Sequence, residues 1–403
     1  MSRILCLLVL LSVALADKWA VIVSGSAYYY NYRHQADAAH AYHVLLNNGY
    51  SPEHIITFSI NDVPNASENP FPGTLYNKPG NGSINYNEGF VVDYSGAWST
   101  PDLYLEVIKG IKKGNNKVLE TTEEDTILLI FFDHGSKGLI SFTNGSLYSD
   151  QLLNAFTYMH ENKKYKRIVY YMEACHSGSM FESLPTDWNI YALTSANPDE
   201  PSYACYCTSQ AFVNGVDIGS CLGDYFSVSW MENVDAGDLT QTFKQHSEKI
   251  AERVVGSNVM RYGDLSFEDL PISEAFEGDL VHVNLHRELP AIETEKHDIY
   301  YNKLNYYKHL YETRNSQEYK QEYEKELELI STVDTYFEGY FKMMINKKYI
   351  QSTSLPIHQT NFECYRQSVD IIAKKFENSD YLFKYYNNMF DICAQYDQAY
   401  LYL

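Results

Sequence analysis

The chain has 403 residues, of which 45% are hydrophobic, so it is long enough to form about two domains with sizeable cores. Its 31 Lys and Arg residues against 52 Asp and Glu residues give a formal net charge of -21. A surface this acidic repels phosphate backbones, so a general nucleic-acid-binding role is disfavoured and we expect no nucleic-acid partner.

The N-terminus has the pattern of a secretory leader. Arg3 precedes an apolar run over residues 4–15, and Ala14-Leu15-Ala16 has the small-x-small form of a signal-peptidase site. We therefore predict a signal peptide over residues 1–16. The run is too short for a comfortable membrane span, and no later segment approaches 18 uninterrupted apolar residues, so no membrane span is expected.

Three N-glycosylation sequons agree with passage through a secretory pathway. They begin at Asn65, Asn81 and Asn144, each followed by a small residue and a serine. One such tripeptide arises easily by chance, but three of them together with the leader predict a glycoprotein of the secretory pathway.

The next part of the chain alternates between strand and helix patterns. Compact apolar runs predict strands over 19–23, 54–58, 126–132, 168–172 and 190–194, and apolar periodicity predicts helices over 36–46, 103–111, 149–160 and 238–254. Residues 61–101 are rich in Asn, Pro and Gly and predict an extended surface excursion. This alternation predicts an α/β domain over residues 17–278, with a mostly parallel sheet covered on both faces.

The pattern changes after residue 278. No strand–helix alternation remains, and apolar residues between Tyr319 and Phe341 recur at helical spacing. We predict a linker over residues 279–305 and a separate, all-helical domain over residues 306–403.

Two predicted strands end in residues that could carry chemistry. The strand 126–132 is followed by Asp133-His134-Gly135-Ser136, and the strand 168–172 is followed by Glu173-Ala174-Cys175. Reactive groups in parallel sheets gather at the carboxyl ends of strands, so neighbouring strands would place His134 and Cys175 at one edge. A thiol needs a nearby base or imidazolium to become a nucleophilic thiolate. Gly135 would let backbone N–H groups face a developing oxyanion.

Each of these residues also has an ordinary structural interpretation. A cysteine after a strand is usually an inert core residue, and a single histidine at the start of a loop is usually a satisfied surface group. A metal site built from His134, Cys175 and His176 lacks a Cys-x-x-Cys or His-x-x-x-His spacing, so we expect no metal and no organic cofactor. The paired occurrence of His134 and Cys175 favours catalysis.

Several short blocks resemble the signature segments of legumains, the asparaginyl endopeptidases (vacuolar processing enzymes) of the caspase-like clan of cysteine peptidases. They are Asp-His-Gly-Ser (133–136), Glu-Ala-Cys-x-Ser-Gly-Ser (173–179), Asn-Tyr-Arg-His-Gln-Ala-Asp (31–37), Ala-Asn-Pro (196–198), Ser-Tyr-Ala-Cys (202–205) and Leu-Gly-Asp (222–224). The resemblance spans roughly residues 19–278 in the same order, with a looser likeness in the tail.

This resemblance implies a caspase-like α/β/α sandwich with a mostly parallel sheet. It implies that Cys175 is the nucleophile, that His134 transfers protons and that Asn31 is a third, orienting group. It also implies that the backbone amides of Gly135 and Cys175 are the oxyanion donors. Family members cleave after asparagine, and after aspartate mainly at acidic pH.

The resemblance further implies a substrate pocket (S1) for the asparagine side chain, lined by Arg33, His34, Glu173, Ser202 and Asp224. Arg33 can donate to the side-chain carbonyl of asparagine, and Asp224 can accept from its NH₂ group. An ionised aspartate would meet Asp224 as a like charge, which protonation of either would relieve. Taken alone, Arg33 is more often a solvated loop residue and Asp224 a helix N-cap.

The remaining cysteines sort into pairs under the same resemblance. A Cys207–Cys221 disulfide would close a pocket loop, which leaves Cys205 free and buried. A Cys205–Cys221 pairing stays open as an alternative. In the tail, Cys364 and Cys393 form the single available pair.

The tail resembles the helical prodomain of the family, which inhibits its own peptidase domain and is released on acidification. The expected cleavage lies in the connecting segment, where Asn302 and Asn305 are nearest to the family pattern. The alternative is a permanent helical accessory domain. His176 departs from the family, in which many members have an acidic residue after the nucleophile, and a protonated His176 could lower the pKa of the thiol.

The expectation is therefore a cysteine endopeptidase zymogen that acts on protein and peptide substrates and meets cystatin-like inhibitors. Three alternatives stay open: a membrane-anchored glycolipid-anchor transamidase of related fold, a peptide ligase, and an inactive homologue that binds peptides. The transamidase is disfavoured because no C-terminal apolar span exists, and the inactive homologue is disfavoured because none of the predicted site residues is lost.

Overall fold

The computed structural model describes residues 16–278, 289, 291–292, 297–347 and 360–403. The predicted leader lies outside the described residues except for Ala16, and so does most of the segment 279–296. No helix among the described residues is long and apolar enough to cross a membrane.

The strands and helices are labelled in chain order. The strands are β1 Lys18–Ser24, β2 Ile55–Phe58, β3 Thr126–Phe132, β4 Gly135–Ser136, β5 Leu139–Phe142, β6 Gly145–Tyr148, β7 Arg167–Glu173, β8 Ile190–Thr194, β9 Tyr203–Cys205, β10 Phe212–Val213, β11 Val216–Asp217, β12 Gly223–Asp224, β13 Met260–Gly263 and β14 His297–Asp298. The helices are α1 Tyr32–Asn47, α2 Pro101–Ile108, α3 Ser149–Glu161, α4 Tyr225–Asp235, α5 Phe243–Arg253, α6 Ser273–Phe276, α7 Asn302–Arg314, α8 Gln317–Asn346, α9 Phe362–Lys375 and α10 Phe383–Gln395.

A six-stranded sheet forms the centre of the α/β domain, in the order β13-β8-β7-β3-β1-β2. Every neighbouring pair is parallel except β13 with β8. Strand β3 is buried on both faces: Ile127, Leu129 and Phe131 pack in the core shared with α2 and α3, and the alternate residues pack with α1, α4 and α5. The predicted mostly parallel α/β sandwich is confirmed.

Three predicted helix boundaries differ from the structure by three or more residues. Helix α1 begins at Tyr32 rather than at residue 36, because its first turn is polar but buried and so lacks the amphipathic pattern. Helix α2 ends at Ile108, where Gly110 turns the chain with φ of 67°. Helix α5 begins only at Phe243, where Thr242 caps it in a reciprocal pair with Gln245.

Two small sheets stand beside the main sheet. The meander β4-β5-β6 directly follows His134, and β9 is flanked by β12 and β14, both antiparallel to it. Strand β14 comes from the connecting segment, so part of that segment is an added strand at the edge of β9.

Helices α7 to α10 form the tail. The core shared by α8, α9 and α10 is rich in aromatic side chains and includes Leu139 and Tyr148 from the β5-β6 hairpin, whereas Tyr306 and Leu310 of α7 belong to a cluster with residues of α1. The tail therefore packs directly on the α/β domain. Helix α7 begins at Asn302, so the helical region starts a turn earlier than the predicted residue 306.

Four of the six cysteines after the leader are paired. The disulfides are Cys207–Cys221 and Cys364–Cys393, and Cys175 and Cys205 are buried thiols. The alternative Cys205–Cys221 pairing does not occur.

Candidate active site

The carboxyl ends of β3 and β7 bring His134 and Cys175 to the same edge of the sheet. The two strands are parallel neighbours in a register that pairs Phe132 with Glu173, and each reactive residue lies two positions beyond its strand's last paired residue. The separation of the two loops is therefore set by backbone hydrogen bonds along the whole length of both strands.

The thiol of Cys175 is completely buried. Its Sγ accepts a hydrogen bond from the backbone N–H of Ser202 at 3.2 Å, and Tyr300 of the connecting segment packs against the cluster that contains it. Burial, with smaller effects from the carboxylates of Asp298 and Glu173, raises the pKa of the Cys175 thiol well above its usual range. In this form of the chain the sulfur is a protonated thiol and a poor nucleophile.

Gly135 packs against the backbone of the Cys175 turn. A Cβ atom at this position would lie 2.5 Å from the carbonyl oxygen of Cys175 and 3.0 Å from the side chain of Ala174. Only glycine fits here without moving the loop that carries the thiol.

His134 contacts Asn31 and His34 of the α/β domain and two residues of the tail. Its Nε2 lies 3.0 Å from Oδ1 of Asn31 and 3.4 Å from the Asp380 carboxylate, and its ring stacks on Phe383 with 5.6 Å between the ring centroids. Asn31 also donates from Nδ2 to Asp380 at 3.0 Å. The tail therefore covers both His134 and its amide partner.

Arg33 and Asp224 form a buried ion pair beside this histidine. Nε of Arg33 donates to Oδ1 of Asp224 at 2.9 Å, and both side chains are at most 2% exposed. His34 reaches Oδ2 of Asp224 at 3.6 Å and Ser26 Oγ at 2.7 Å. Glu173 accepts from Ser227 at 3.3 Å.

Two polar atoms of this ion pair have no hydrogen-bond partner among the described residues. They are Nη2 of Arg33 and Oδ2 of Asp224, one donor and one acceptor. Buried polar atoms are almost always satisfied in native proteins. A primary amide, with one carbonyl oxygen and one NH₂ group, is complementary to this unsatisfied pair.

The charges around the ion pair are shifted by burial. Burial and the nearby Asp224 charge raise the pKa of Glu173 to about 8. Burial raises the pKa of Asp224, and Arg33 opposes that rise. Burial also lowers the pKa of His34 well below its usual value. At neutral pH the surroundings of the ion pair are therefore largely uncharged.

His176 joins the α/β domain to the tail. Its Nδ1 lies 2.9 Å from the carbonyl of Pro198, and its Nε2 lies 2.9 Å from the hydroxyl of Tyr300 and 2.8 Å from Nδ2 of Asn387. Since Asn387 can only donate through Nδ2, Nε2 must be the acceptor and the ring must be neutral. Burial lowers the pKa of His176 to about 4.

The two asparagines of the expected cleavage segment are helical. Asn302 is the first residue of α7 and is 8% exposed, and its Nδ2 donates to Tyr30 O at 2.5 Å and Asn31 Oδ1 at 3.2 Å. Asn305 lies one turn further along. Neither backbone is extended in this state, so cleavage at either position requires the first turn of α7 to unwind.

His34, Asp133 and His134 form the one group of metal-ligand side chains found close together in the described part of the chain, with donor atoms within 4.8 Å of one another. The ring nitrogens are already engaged, His34 Nδ1 with Ser26 and His134 Nε2 with Asn31. We assign no metal there.

The three sequon asparagines, Asn65, Asn81 and Asn144, are all exposed, as modification would require.

The sequence did not reveal the contacts of Tyr300, Asp380, Phe383 and Asn387 with the site. These residues lie more than 100 positions from His134 or Cys175, and no local motif marks them.

The comparisons with known proteins agree with this geometry. The model of the Peptidase C13 family matches residues 18–279. The chain belongs to the peptidase C13 family. It is 43% identical over 263 residues to a hemoglobinase of Schistosoma japonicum, covering 65% of this chain and 60% of the relative. It is 42% identical over 266 residues to legumain of Mus musculus, covering 64% and 59%.

A plant relative and a solved structure complete the comparison. Identity to the delta-isozyme of the vacuolar-processing enzyme of Arabidopsis thaliana is 39% over 252 residues, covering 61% of this chain and 54% of the relative. The chain thus spans about three-fifths or less of the length of these family members. Caspase-1 of Spodoptera frugiperda is 10% identical, with a TM-score of 0.36 over 62% of this chain and 86% of that chain. That likeness adds nothing to what the sheet topology already shows.

The contact between Gly135 and Cys175 leads to a stability prediction. We expect Gly135→Ala to lower the free energy of unfolding by about 1–3 kcal/mol, because the added methyl group overpacks the Cys175 turn. A Cβ atom at the exposed helical Gly339 would have no neighbour within 4 Å, so Gly339→Ala should instead raise it by about 0.5–1 kcal/mol. Urea unfolding of both variants checks this, and equal effects would contradict the tight contact.

Proposed function

We propose that the chain is the zymogen of a cysteine endopeptidase that hydrolyses peptide bonds after asparagine. The observation that carries the proposal is the juxtaposition of the His134–Asn31 pair, the Cys175 thiol and the unsatisfied Arg33–Asp224 ion pair at one edge of the sheet. A nucleophile, a base and a side-chain pocket are the parts that an acyl-transfer enzyme with this specificity needs.

In the proposed reaction His134 takes the proton of the Cys175 thiol, and the thiolate attacks the scissile carbonyl carbon. The backbone amides of Gly135 and Cys175 stabilise the oxyanion of the tetrahedral intermediate. Protonation of the leaving amine by His134 breaks the C–N bond and leaves a thioester. Water, deprotonated by His134, then attacks the thioester and restores the thiol. Asn31 keeps the imidazole oriented by accepting from Nε2.

The proposed pocket selects asparagine by hydrogen-bond complementarity. The free Nη2 of Arg33 donates to the substrate's side-chain oxygen, and the free Oδ2 of Asp224 accepts from its NH₂ group. A substrate aspartate carries a charge that repels Asp224 until one of the two is protonated. Because burial raises the pKa of Asp224, cleavage after aspartate should increase as pH falls.

We further propose that residues 297–403 inhibit the enzyme. Strand β14 pairs with β9 beside Ser202, where an extended substrate would add as a strand. Tyr300 covers the thiol, and Asp380 and Phe383 cover His134. Cleavage after Asn302 or Asn305 would then follow acid-induced loosening of the tail rather than cause it.

His176 is the group in this interface that responds to mild acid. When the tail is docked on the α/β domain, the pKa of His176 is lowered from 6.5 to about 4. Above pH 6.5 this residue therefore does not affect docking of the tail. As the pH falls from 6.5 towards 4, docking weakens, because only the released state binds the proton readily. This difference in pKa corresponds to a loss of roughly 3 kcal/mol in the free energy of tail docking. The charged groups around it are Lys137, Asp199 and Glu200, and the tail contributes Asp391.

Asp380 and Asp391 do not supply this response. The His134 charge and hydrogen bonds outweigh burial and hold the pKa of Asp380 below 3.8, so its contribution to docking is lost only in stronger acid. Burial raises the pKa of Asp391, so protonation of Asp391 favours the docked state. The response to mild acid therefore rests on His176.

The proposed setting is the secretory pathway, leading to a vacuole, a lysosome or the outside of the cell. A relative named for vacuolar processing supports it, as do the leader-like N-terminus and the exposed sequons. The proposed partners are protein and peptide substrates, cystatin-like inhibitors and the tail itself. Peptide ligation is the second candidate activity, because an amine could replace water in attacking the thioester.

The first prediction concerns the nucleophile. Purified chain incubated at about pH 4–5 should lose its tail and cleave a fluorogenic peptide that ends in asparagine, and Cys175→Ala should do neither. The second buried thiol provides the control, because Cys205→Ala should keep the activity. Tail loss without peptide cleavage would contradict the assigned pocket, and no change in the wild type would favour the peptide-binding homologue.

The second prediction concerns the acid response. In His176→Asn, the pH midpoint of tail release should shift down by roughly one unit, because the asparagine accommodates the left-handed backbone at φ of 56° but does not titrate in this range. Intact-mass analysis after incubation across pH 3.5–7 measures the midpoint. His160→Asn is the control, since His160 stacks on Trp188 away from this interface. An unchanged midpoint in His176→Asn would exclude His176 as the sensor.

A further inference from the structure

Asp37 lies behind the Arg33–Asp224 pair and is not needed by the reaction as described. It is on α1, one turn beyond Arg33, and is completely buried. Its Oδ1 accepts from Nδ2 of Asn77 at 2.6 Å, and its Oδ2 accepts from the backbone N–H of Asp224 at 3.3 Å.

A chain of polar contacts extends from Asp37 to the surface. Nδ2 of Asn77 also donates to the carbonyl of Leu222 at 2.8 Å, and its Oδ1 lies 2.7 Å from Nδ1 of His40. The other ring nitrogen of His40 lies 2.9 Å from Asp235, which is partly exposed. Asp37 is therefore held in place from behind, and it in turn holds the segment that ends in Asp224.

The backbone of β12 around Gly223 is tightly packed on all sides that face Asp37. A Cβ atom at Gly223 would lie 2.5 Å from Val228, 3.0 Å from Nδ2 of Asn77 and 3.2 Å from Oδ1 of Asp37. Since the backbone of β12 is packed directly on the Asp37–Asn77 pair, a change at Asp37 is transmitted to Asp224 rather than absorbed by the loop.

The charged groups around Asp37 determine its protonation state. Three buried carboxyl groups, those of Asp37, Glu173 and Asp224, share the single buried cation of Arg33. One guanidinium compensates one carboxylate, and a second uncompensated charge in this interior would be costly. Asp224 makes the direct ion pair, so Asp37 is the neutral acid. Burial and the Asp224 charge both raise the pKa of Asp37, which agrees.

The other groups that face Asp37 do not change this result. The Cys205 thiol on β9 is uncharged, because burial raises its pKa well above its usual range. Ser227 on α4 donates to Glu173 at 3.3 Å, and the ring of His40 is directed to Asn77 and Asp235. The buried cation in direct contact with Asp224 is Arg33.

We propose that Asp37 is a specificity-determining positioning residue that accepts a hydrogen bond from the backbone N–H of Asp224 and so keeps the Asp224 carboxylate aligned on Arg33. The inference rests on the proposed function, because it concerns how the same pocket distinguishes asparagine from aspartate. An ionised Asp224 rejects an ionised aspartate, so whatever keeps Asp224 ionised sets the discrimination.

The experiment compares acid-activated wild type, Asp37→Ala and Asp37→Asn on matched peptides that end in asparagine or aspartate. Loss of this acceptor should loosen the Asp224–Arg33 pair and raise the pKa of Asp224, so in Asp37→Ala the Asn/Asp ratio of kcat/KM at about pH 6 should fall by roughly tenfold or more. In Asp37→Asn the NH₂ group must face either the backbone N–H of Asp224 or Nδ2 of Asn77, which are both donors, so its ratio should also fall, by roughly threefold or more.

The control is Asp125→Asn, which alters a buried aspartate that accepts hydrogen bonds from Asp17 and Thr122 far from the pocket. It should reduce stability and leave the ratio unchanged. An unchanged ratio in Asp37→Ala would reduce Asp37 to a structural role. If Asp37→Ala does not fold, Asp37→Asn alone decides, since an unchanged ratio in that variant would equally reduce Asp37 to a structural role. Failure of wild type to cleave the asparagine peptide would instead overturn the proposed function, and the inference with it.

Discussion

The parallel pairing of β3 with β7 is the constraint on which the site depends. Its register places His134 and Cys175 in adjacent loops, and the hydrogen bonds along seven paired positions resist any change in that spacing. Gly135 then lets the two loops touch without a side chain between them. The strands are buried on both faces, so the energy that holds the core together also holds the reactive pair.

Burial also explains why we propose that the described form is inactive. Burial beneath residues 297–403 keeps the thiol protonated and His176 neutral. Each of these groups returns towards its ordinary pKa when water reaches it. Release of the tail would therefore change the chemistry of the site as well as its accessibility, and a single docking equilibrium controls both.

The sequence predicted the parts of the molecule that depend on local patterns. The apolar strand Thr126–Phe132 and the cysteine and histidine at strand ends were recognisable from residue order alone. The first turn of α1 was not, because Arg33 and His34 are polar residues buried by partners that lie far away in the chain. The tail contacts of Asp380 and Asn387 were invisible for the same reason: they depend on packing between separate parts of the chain.

We propose that the tail masks the Cys175 thiol and that His134 activates it. The most direct test is alkylation of the full chain by a peptidyl chloromethyl ketone that ends in asparagine. The reagent is applied before and after incubation at about pH 4.5. The modified residue is then located by mass spectrometry. We expect one adduct, on Cys175, that forms only after acid treatment and is lost in His134→Ala. Adducts on Cys205, or equal labelling of Cys175 before acid treatment, would contradict both the masking by the tail and the role of His134.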